Sequence, residues 1–147
     1  MEIIYKTSKN KSNFEYCSDL FKGKKVLNGF NKLGENVWEQ VATNDFDCQN
    51  VLFEKEIIAD LFICYPLSVV VKDEIKFKSL YELISEIRRV YNQIYYEEFK
   101  DFSKKKKENT FTEKFGIWGH SIYDLIIESI KIFEGEDKPL INVSIGS

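Results

Sequence analysis

The residues from Ser79 to Phe102 constrain the fold most, because their apolar side chains recur every three or four positions. This spacing places them on one side of an α-helix with 3.6 residues per turn. The apolar stripe consists of Leu80, Leu83, Ile84, Ile87, Val90, Tyr91, Ile94, Tyr95, Phe99 and Phe102. A stripe of this length is stable only when other segments cover it, so the pattern predicts a packing partner as well as a helix.

The sequence also specifies where this helix begins. Ser79 and Glu82 have the spacing of a capping box. In that motif the serine hydroxyl accepts a hydrogen bond from the backbone N–H of the glutamate, whose carboxylate accepts one from the serine N–H. We therefore predict one long amphipathic helix over residues 79–102.

A shorter helix is predicted near residues 12–22. Ser12 and Glu15 repeat the capping-box spacing, and Gly23 provides a C-cap. The side chains on the apolar face of this helix are Phe14, Cys17, Leu20 and Phe21.

A second short helix is predicted near residues 120–126, where Ser121 has the spacing of an N-cap with the aspartate three residues later. After it, residues 128–134 and 140–145 alternate between apolar and polar on either side of a Gly-Glu-Asp turn, which predicts a closing hairpin. The alternative is a single helix that continues through Phe133, because the isoleucines of this segment also have helical spacing.

The remaining segments are predicted to be β-strands. Residues 1–6 and 37–41 each form one strand, and residues 51–65 form two strands or one bent strand. Residues 68–78 are predicted to form a hairpin with residues 72–74 as its loop, because that loop places four apolar side chains on one face. These four side chains are Val69, Val71, Ile75 and Phe77.

These elements predict a single α+β domain over residues 1–147, in which an antiparallel sheet packs against the long helix. A chain of 147 residues with 44% hydrophobic residues, 7 glycines and 2 prolines can bury one core without a metal or a disulfide.

Charge and hydropathy exclude several classes of function. The formal net charge of -3 gives no general attraction for nucleic acid or for anionic lipid, so binding to nucleic acid is not expected. The longest apolar stretch, residues 57–71, is interrupted by Asp60 and Pro66 and is too short to span a bilayer. We therefore expect no membrane partner.

The cysteines and the first residues of the chain suggest a cytoplasmic location. Cys17, Cys48 and Cys64 are odd in number and widely spaced, so they are predicted to be free thiols in a reducing compartment. The first residues lack the basic start and the long apolar region of a signal peptide.

One segment combines residue types that can bind a ligand. His120 is the only histidine, and it follows Trp118 and precedes Ser121 at a predicted helix start. A titratable ring beside free backbone N–H groups can hold a polar ligand, and Tyr123 would complete the site. The alternative interpretation is that His120 only caps the helix while Trp118 covers the edge of the core.

No spacing in the sequence indicates a metal, a cofactor or a catalytic residue. The chain has no CxxC pair, no HxxxH pair and no glycine-rich phosphate loop. We therefore predict no metal site, no cofactor and no catalytic residues.

Arg88, Arg89 and Tyr96 lie toward the polar edge of the long helix, and arginine and tyrosine are favoured at protein interfaces. The first functional hypothesis is therefore an interaction module without catalytic activity that binds another protein or a second copy of itself. The alternative is a small-molecule-binding protein or an enzyme with a pocket around Trp118 and His120. A pocket protein should hold His120 in a cleft, whereas an interaction module should expose an apolar patch.

Overall fold

A computed structural model describes residues 1–7, 10–22, 52–104 and 114–147 of the chain. The strand predicted at residues 37–41, the C-cap predicted at Gly23 and the third cysteine, Cys48, lie outside these residues.

The described chain contains both helices and strands, and they do not alternate regularly along the sequence, so the α+β class is confirmed. The elements are β1 (Glu2–Lys6), α1 (Asn13–Phe21), β2 (Leu52–Ile63), β3 (Val69–Ser79), α2 (Leu80–Lys104), a 3₁₀ turn (Ile122–Asp124), β4 (Ile126–Phe133) and β5 (Leu140–Gly146). The five strands form one sheet with the order β1-β3-β2-β5-β4. No helix in the described ranges is long and apolar enough to cross a membrane.

The sheet is mixed, which corrects the prediction of a fully antiparallel sheet. β1 with β3, β2 with β3 and β4 with β5 are antiparallel pairs, whereas β2 and β5 are parallel. Parallel neighbours require a crossover connection. Here the chain between β2 and β5 passes through β3, α2 and β4. Helix α2 carries the chain across the sheet from β3 to β4, and β4 then forms a hairpin with β5.

The hairpin predicted at residues 68–78 is wrong, because β3 is one continuous strand. Its residues 72–74 pair with Asp60, Leu61 and Phe62 of β2 and form no loop. The predicted apolar face is nevertheless correct, since alternate residues of a continuous strand also share a face. Val69, Val71, Ile75 and Phe77 are all buried there. β2 is a single strand with a register irregularity between Leu52 and Ile57, which settles the choice left open for residues 51–65.

The long helix is confirmed, and it begins directly after β3. The Ser79 hydroxyl accepts a hydrogen bond from the Glu82 N–H at 3.0 Å, as the capping box predicts. The Glu82 carboxylate accepts from the Lys78 N–H at 2.6 Å instead of from Ser79. Eight residues of the predicted stripe, from Leu80 to Tyr95, are buried against the sheet, whereas Phe99 is half exposed.

α1 packs on the other face of the sheet. Ser12 and Glu15 make both hydrogen bonds of the predicted capping box. Phe21 packs against Phe62 and Val70 in a second apolar cluster. The prediction of free thiols is wrong for Cys17 and Cys64, because a disulfide joins them and ties α1 to the end of β2. The two cysteines meet because α1 crosses the sheet beside that end, a contact that no local pattern reveals.

The helix predicted near residues 120–126 is shortened to one 3₁₀ turn, which Ser121 caps as predicted. The closing hairpin of β4 and β5 is confirmed, and the alternative of a helix through Phe133 is wrong. A register shift in β4 between Ile127 and Ser129 explains the ambiguity. A bulge inserts one residue, so the buried Ile127 and Ile130 are three positions apart, as they would be in a helix.

Candidate functional site

The segment that contains Trp118 and His120 is attached to α2 through Glu98. This glutamate is buried, and its carboxylate accepts hydrogen bonds from the backbone N–H groups of Phe115 at 3.3 Å and Ile117 at 2.8 Å. The Phe115 side chain is buried in the main core. Glu98 therefore fixes the start of the segment one turn after Tyr95, the last buried residue of the apolar stripe.

The connection between β2 and β3 holds the other side of the same segment. The Ser68 N–H donates to the Phe115 carbonyl at 2.9 Å, and the Ser68 hydroxyl donates to the Gly116 carbonyl at 2.8 Å. The Trp118 N–H donates to the Pro66 carbonyl at 3.2 Å. Gly116 has a φ of 61°, and a Cβ at this position would lie 2.5 Å from the Ser68 Cβ, so the approach of the two backbones requires glycine.

Three aromatic rings form a cluster at this point, which we call the Tyr65 cluster: Tyr65, Trp118 and His120. The Tyr65 ring centroid lies 5.4 Å from the centroids of both partner rings. The Tyr65 hydroxyl lies 2.7 Å from His120 Nε2 and 3.1 Å from the Ser147 hydroxyl. One ring nitrogen of His120 is therefore bonded within the protein.

Two tyrosines of α2 support this cluster through the backbone. The Tyr91 hydroxyl donates to the Tyr65 carbonyl at 2.7 Å, and the Tyr95 hydroxyl donates to the His120 carbonyl at 3.1 Å. Burial raises the pKa of Tyr91 well above its ordinary value. Burial also raises the pKa of Tyr95, to about 12.

These two tyrosines predict a loss of stability in alkali. A group whose pKa is raised by folding stabilises the protein below its unfolded pKa, and this contribution is lost as the pH rises toward the folded pKa. The free energy of unfolding should therefore fall between pH 10 and about pH 12. These limits are the ordinary pKa of a tyrosine and the pKa of Tyr95 in the folded protein. Urea unfolding measured at several pH values in this window tests the expectation.

The matched variants for that measurement are Tyr91→Phe and Tyr95→Phe. Each removes one titrating hydroxyl, so the dependence of stability on pH above pH 10 should become shallower. If ultraviolet absorbance showed that both tyrosines of the folded protein ionise at the ordinary pKa, burial would not control their protonation.

The structure divides the four predicted ligand-binding residues between two surfaces. Trp118 and His120 lie in the Tyr65 cluster. Ser121 caps the 3₁₀ turn, and Tyr123 is 93% exposed on the side that faces α2. A single pocket around all four residues is therefore not formed.

The α2 side carries two adjoining grooves. The first, about 560 Å³ in volume, lies between α2 and the 3₁₀ turn and is lined by Tyr96, Phe99 and Tyr123 among others. We call it the aromatic groove. The second, about 320 Å³, continues along α2 past Arg88 and shares Asn92, Ile122 and Tyr123 with the first. Two of the three predicted interface residues, Arg88 and Tyr96, thus lie on one continuous surface.

Arg89 faces a different part of the molecule. Its guanidinium forms ion pairs with Glu86 at 2.7 Å and with Asp73 of β3 at 3.3 Å. Asp73 also binds the amino group of Met1 at 3.2 Å. Arg89 therefore links α2 to the sheet and does not line either groove.

In the part of the chain that the structure covers, no group of three or more histidine, cysteine, aspartate or glutamate residues is arranged to hold a metal ion. Comparisons of the chain with protein-family models, with curated proteins and with solved structures found no match.

Proposed function

We propose that this chain is a protein-interaction module without catalytic activity, and that it binds another protein or a second copy of itself through the aromatic groove. The observation that supports this function is the exposure of three aromatic side chains along one groove. Tyr123 is 93% exposed, Tyr96 67% and Phe99 51%. Large apolar side chains that are exposed together are typical of surfaces that a partner covers.

Residue types along the grooves fit the same function. Tyrosine, phenylalanine and arginine are enriched in protein interfaces, where rigid aromatic rings contribute contact area at a low cost in side-chain entropy. Arg88 is exposed and lines the second groove, so it can add a charged contact beyond the aromatic residues.

The second candidate is an enzyme that acts on a small molecule. The hydrogen bond between the Tyr65 hydroxyl and His120 Nε2 favours it, since such a pair can transfer a proton. We rank it below the first because His120 does not line either groove or the cavity of about 600 Å³ beside α1. A cytoplasmic location also remains a prediction. The bond between Cys17 and Cys64 weakens it, because disulfides are uncommon in that compartment.

The test of the interaction function is a double substitution, Tyr96→Ala with Tyr123→Ala. A partner identified by pull-down from the native host, or self-association measured by sedimentation, should lose affinity by at least about tenfold, because truncated aromatic anchors typically cost 2 kcal/mol or more. Both side chains are exposed, so the variant should keep the thermal stability of the original chain.

Tyr81→Ala is the matched control. Tyr81 is a half-exposed tyrosine of the same helix and does not line either groove. It should leave the affinity unchanged. Equal binding by all three proteins, with their folds intact, would refute the aromatic groove as the interaction surface.

A further inference from the structure

A cavity of about 600 Å³ lies away from the aromatic groove. Its walls are α1, the residues that follow β2 and the end of β5. Of the predicted ligand-binding residues, only Trp118 lines it. Cavities of roughly 300–1,000 Å³ are the size that hold small molecules in proteins.

One wall of this cavity is an open strand edge. β5 pairs with β2 from Leu140 as far as Asn142, whereas it continues to Gly146 beside β4. Residues 142–145 all line the cavity although their side chains point alternately to opposite faces, so their backbone also faces it. No described residue pairs with β5 on this side after Asn142. Backbone N–H and C=O groups of this edge are therefore available to a ligand.

The open edge is short. The Tyr65 hydroxyl bonds to Ser147, immediately after the strand, so the edge extends over about four residues, roughly 13 Å at the rise of a β-strand. This length suits a compact molecule better than a long peptide strand.

Among the described residues that line the cavity, none has a charged side chain, although 31% of the residues in the chain are charged. The polar side-chain groups of these residues are hydroxyls, amides, the indole N–H of Trp118 and the disulfide of Cys17 and Cys64. A buried ion would meet no side chain of opposite charge among these residues, and burying a charge without one is costly. The ligand that fits is therefore electrically neutral.

Some of these polar side chains are already bonded and others are not. The Asn13 amide donates to the carbonyls of Leu67 and Val69, at 2.8 and 3.1 Å. By contrast, three lining side chains have no hydrogen-bond partner within the described residues. These are Ser18, Asn142 and Ser144. Together with the strand edge they offer donors and acceptors to a bound molecule.

Aromatic side chains stand at the same cavity. Phe14 of α1 is 80% exposed and Trp118 is half exposed, and both line the cavity. Contact with a flat apolar surface is favourable for such rings, because it buries them and allows ring stacking. A ligand with an aromatic body would cover them.

We propose that this cavity binds a small neutral molecule that has an aromatic body and an amide-like edge. The amide-like edge pairs with the backbone of residues 143–146, and the body lies between Phe14 and Trp118. This site is separate from the aromatic groove, so the two proposals can fail independently.

A matched pair of probes tests the proposal: naphthamide, which is neutral, and naphthoate, which has the same shape and a negative charge. In two-dimensional ¹H–¹⁵N NMR of the full chain, naphthamide should shift the Trp118 indole signal and the amide signals of residues 143–146. Naphthoate should bind at least about tenfold more weakly, because its charge would be buried without a side chain of opposite charge. Equal binding of the two probes, or no binding of naphthamide, would overturn the proposal.

Three variants, one of them a control, locate the site. Ser18→Trp places a bulky ring in the cavity from an exposed position of α1 and should abolish the shifts caused by naphthamide, whereas Ser85→Trp, on the exposed face of α2, should not. Phe14→Ala removes one aromatic wall without touching the core, and it should weaken binding even if Ser18→Trp does not fold. Unchanged binding of naphthamide to the folded cavity variants would also overturn the proposal.

Discussion

Replacing Glu98 by alanine is expected to lower the free energy of unfolding by about 3 kcal/mol, since each buried N–H that loses its acceptor costs roughly 1–3 kcal/mol. The carboxylate accepts from two backbone N–H groups, those of Phe115 and Ile117. Their loss should also free the segment that carries Trp118. Urea unfolding measures the first effect, and hydrogen exchange of the Ile117 amide measures the second.

Glu97→Ala is the control for this prediction. Glu97 is adjacent in sequence but lies toward the surface, where it forms an ion pair with Lys114 at 2.9 Å. Ion pairs of this kind contribute about 0–1 kcal/mol, so this variant should remain nearly as stable as the original chain. Equal losses from the two substitutions would mean that the bonds from Glu98 to the backbone contribute little.

Replacing Gly116 by alanine is expected to cost about 3 kcal/mol, from two causes. A residue with a side chain pays roughly 1–2 kcal/mol to adopt the left-handed conformation. The added Cβ would also lie 2.5 Å from the Ser68 Cβ, and overpacking typically costs about 1–3 kcal/mol more. Thermal or urea unfolding measures the sum.

Gly119→Ala separates the two causes. Gly119 has a φ of 71°, but apart from Gly119 and its two neighbours in the chain, no described residue has an atom within 4 Å of the position that a Cβ would occupy. This variant should therefore show only the conformational cost. Adding Ser68→Gly to Gly116→Ala should restore part of the stability, because it removes the atom that collides. A Gly119→Ala loss as large as that of Gly116→Ala would exclude the collision as a cause.

Sequence patterns predicted the elements whose signals are local. The stripe of α2 and the capping serines Ser12 and Ser79 each depend on residues within one or two turns, and the structure contains them. The face of β3 was predicted for a wrong reason. The polar residues 72–74 resemble a loop, but β2 pairs with all three of them and β1 pairs with Lys72. A local pattern contains no information about neighbouring strands.

Long-range contacts account for the other differences. The parallel pairing of β2 with β5 and the bond between Cys17 and Cys64 each join segments that are far apart in sequence. The bulge in β4 is local, but it places buried isoleucines three positions apart, which is also the spacing in a helix. Only the pairing with β5 distinguishes the two structures.

The candidate site was predicted in part. Trp118 and His120 do lie together, but Tyr65, which binds His120, is 55 residues away in sequence and was missed. Glu98 could have been identified, because it lies four residues after Ile94 and three after Tyr95, within the apolar stripe. An acidic residue at a buried helical position must find hydrogen-bond donors, so its presence there indicates an anchored segment.

No residue separates β3 from α2, since Ser79 is the last residue of the strand and Leu80 is the first of the helix. One extra residue at this joint would rotate the whole helix by roughly 100°, the angle between successive residues. The apolar side of α2 would then face water, and the Glu98 carboxylate would move away from the backbone N–H groups that donate to it. The joint therefore tolerates exchanges of side chain but no change in length, and it sets the rotational phase of every α2 residue, including those of the aromatic groove.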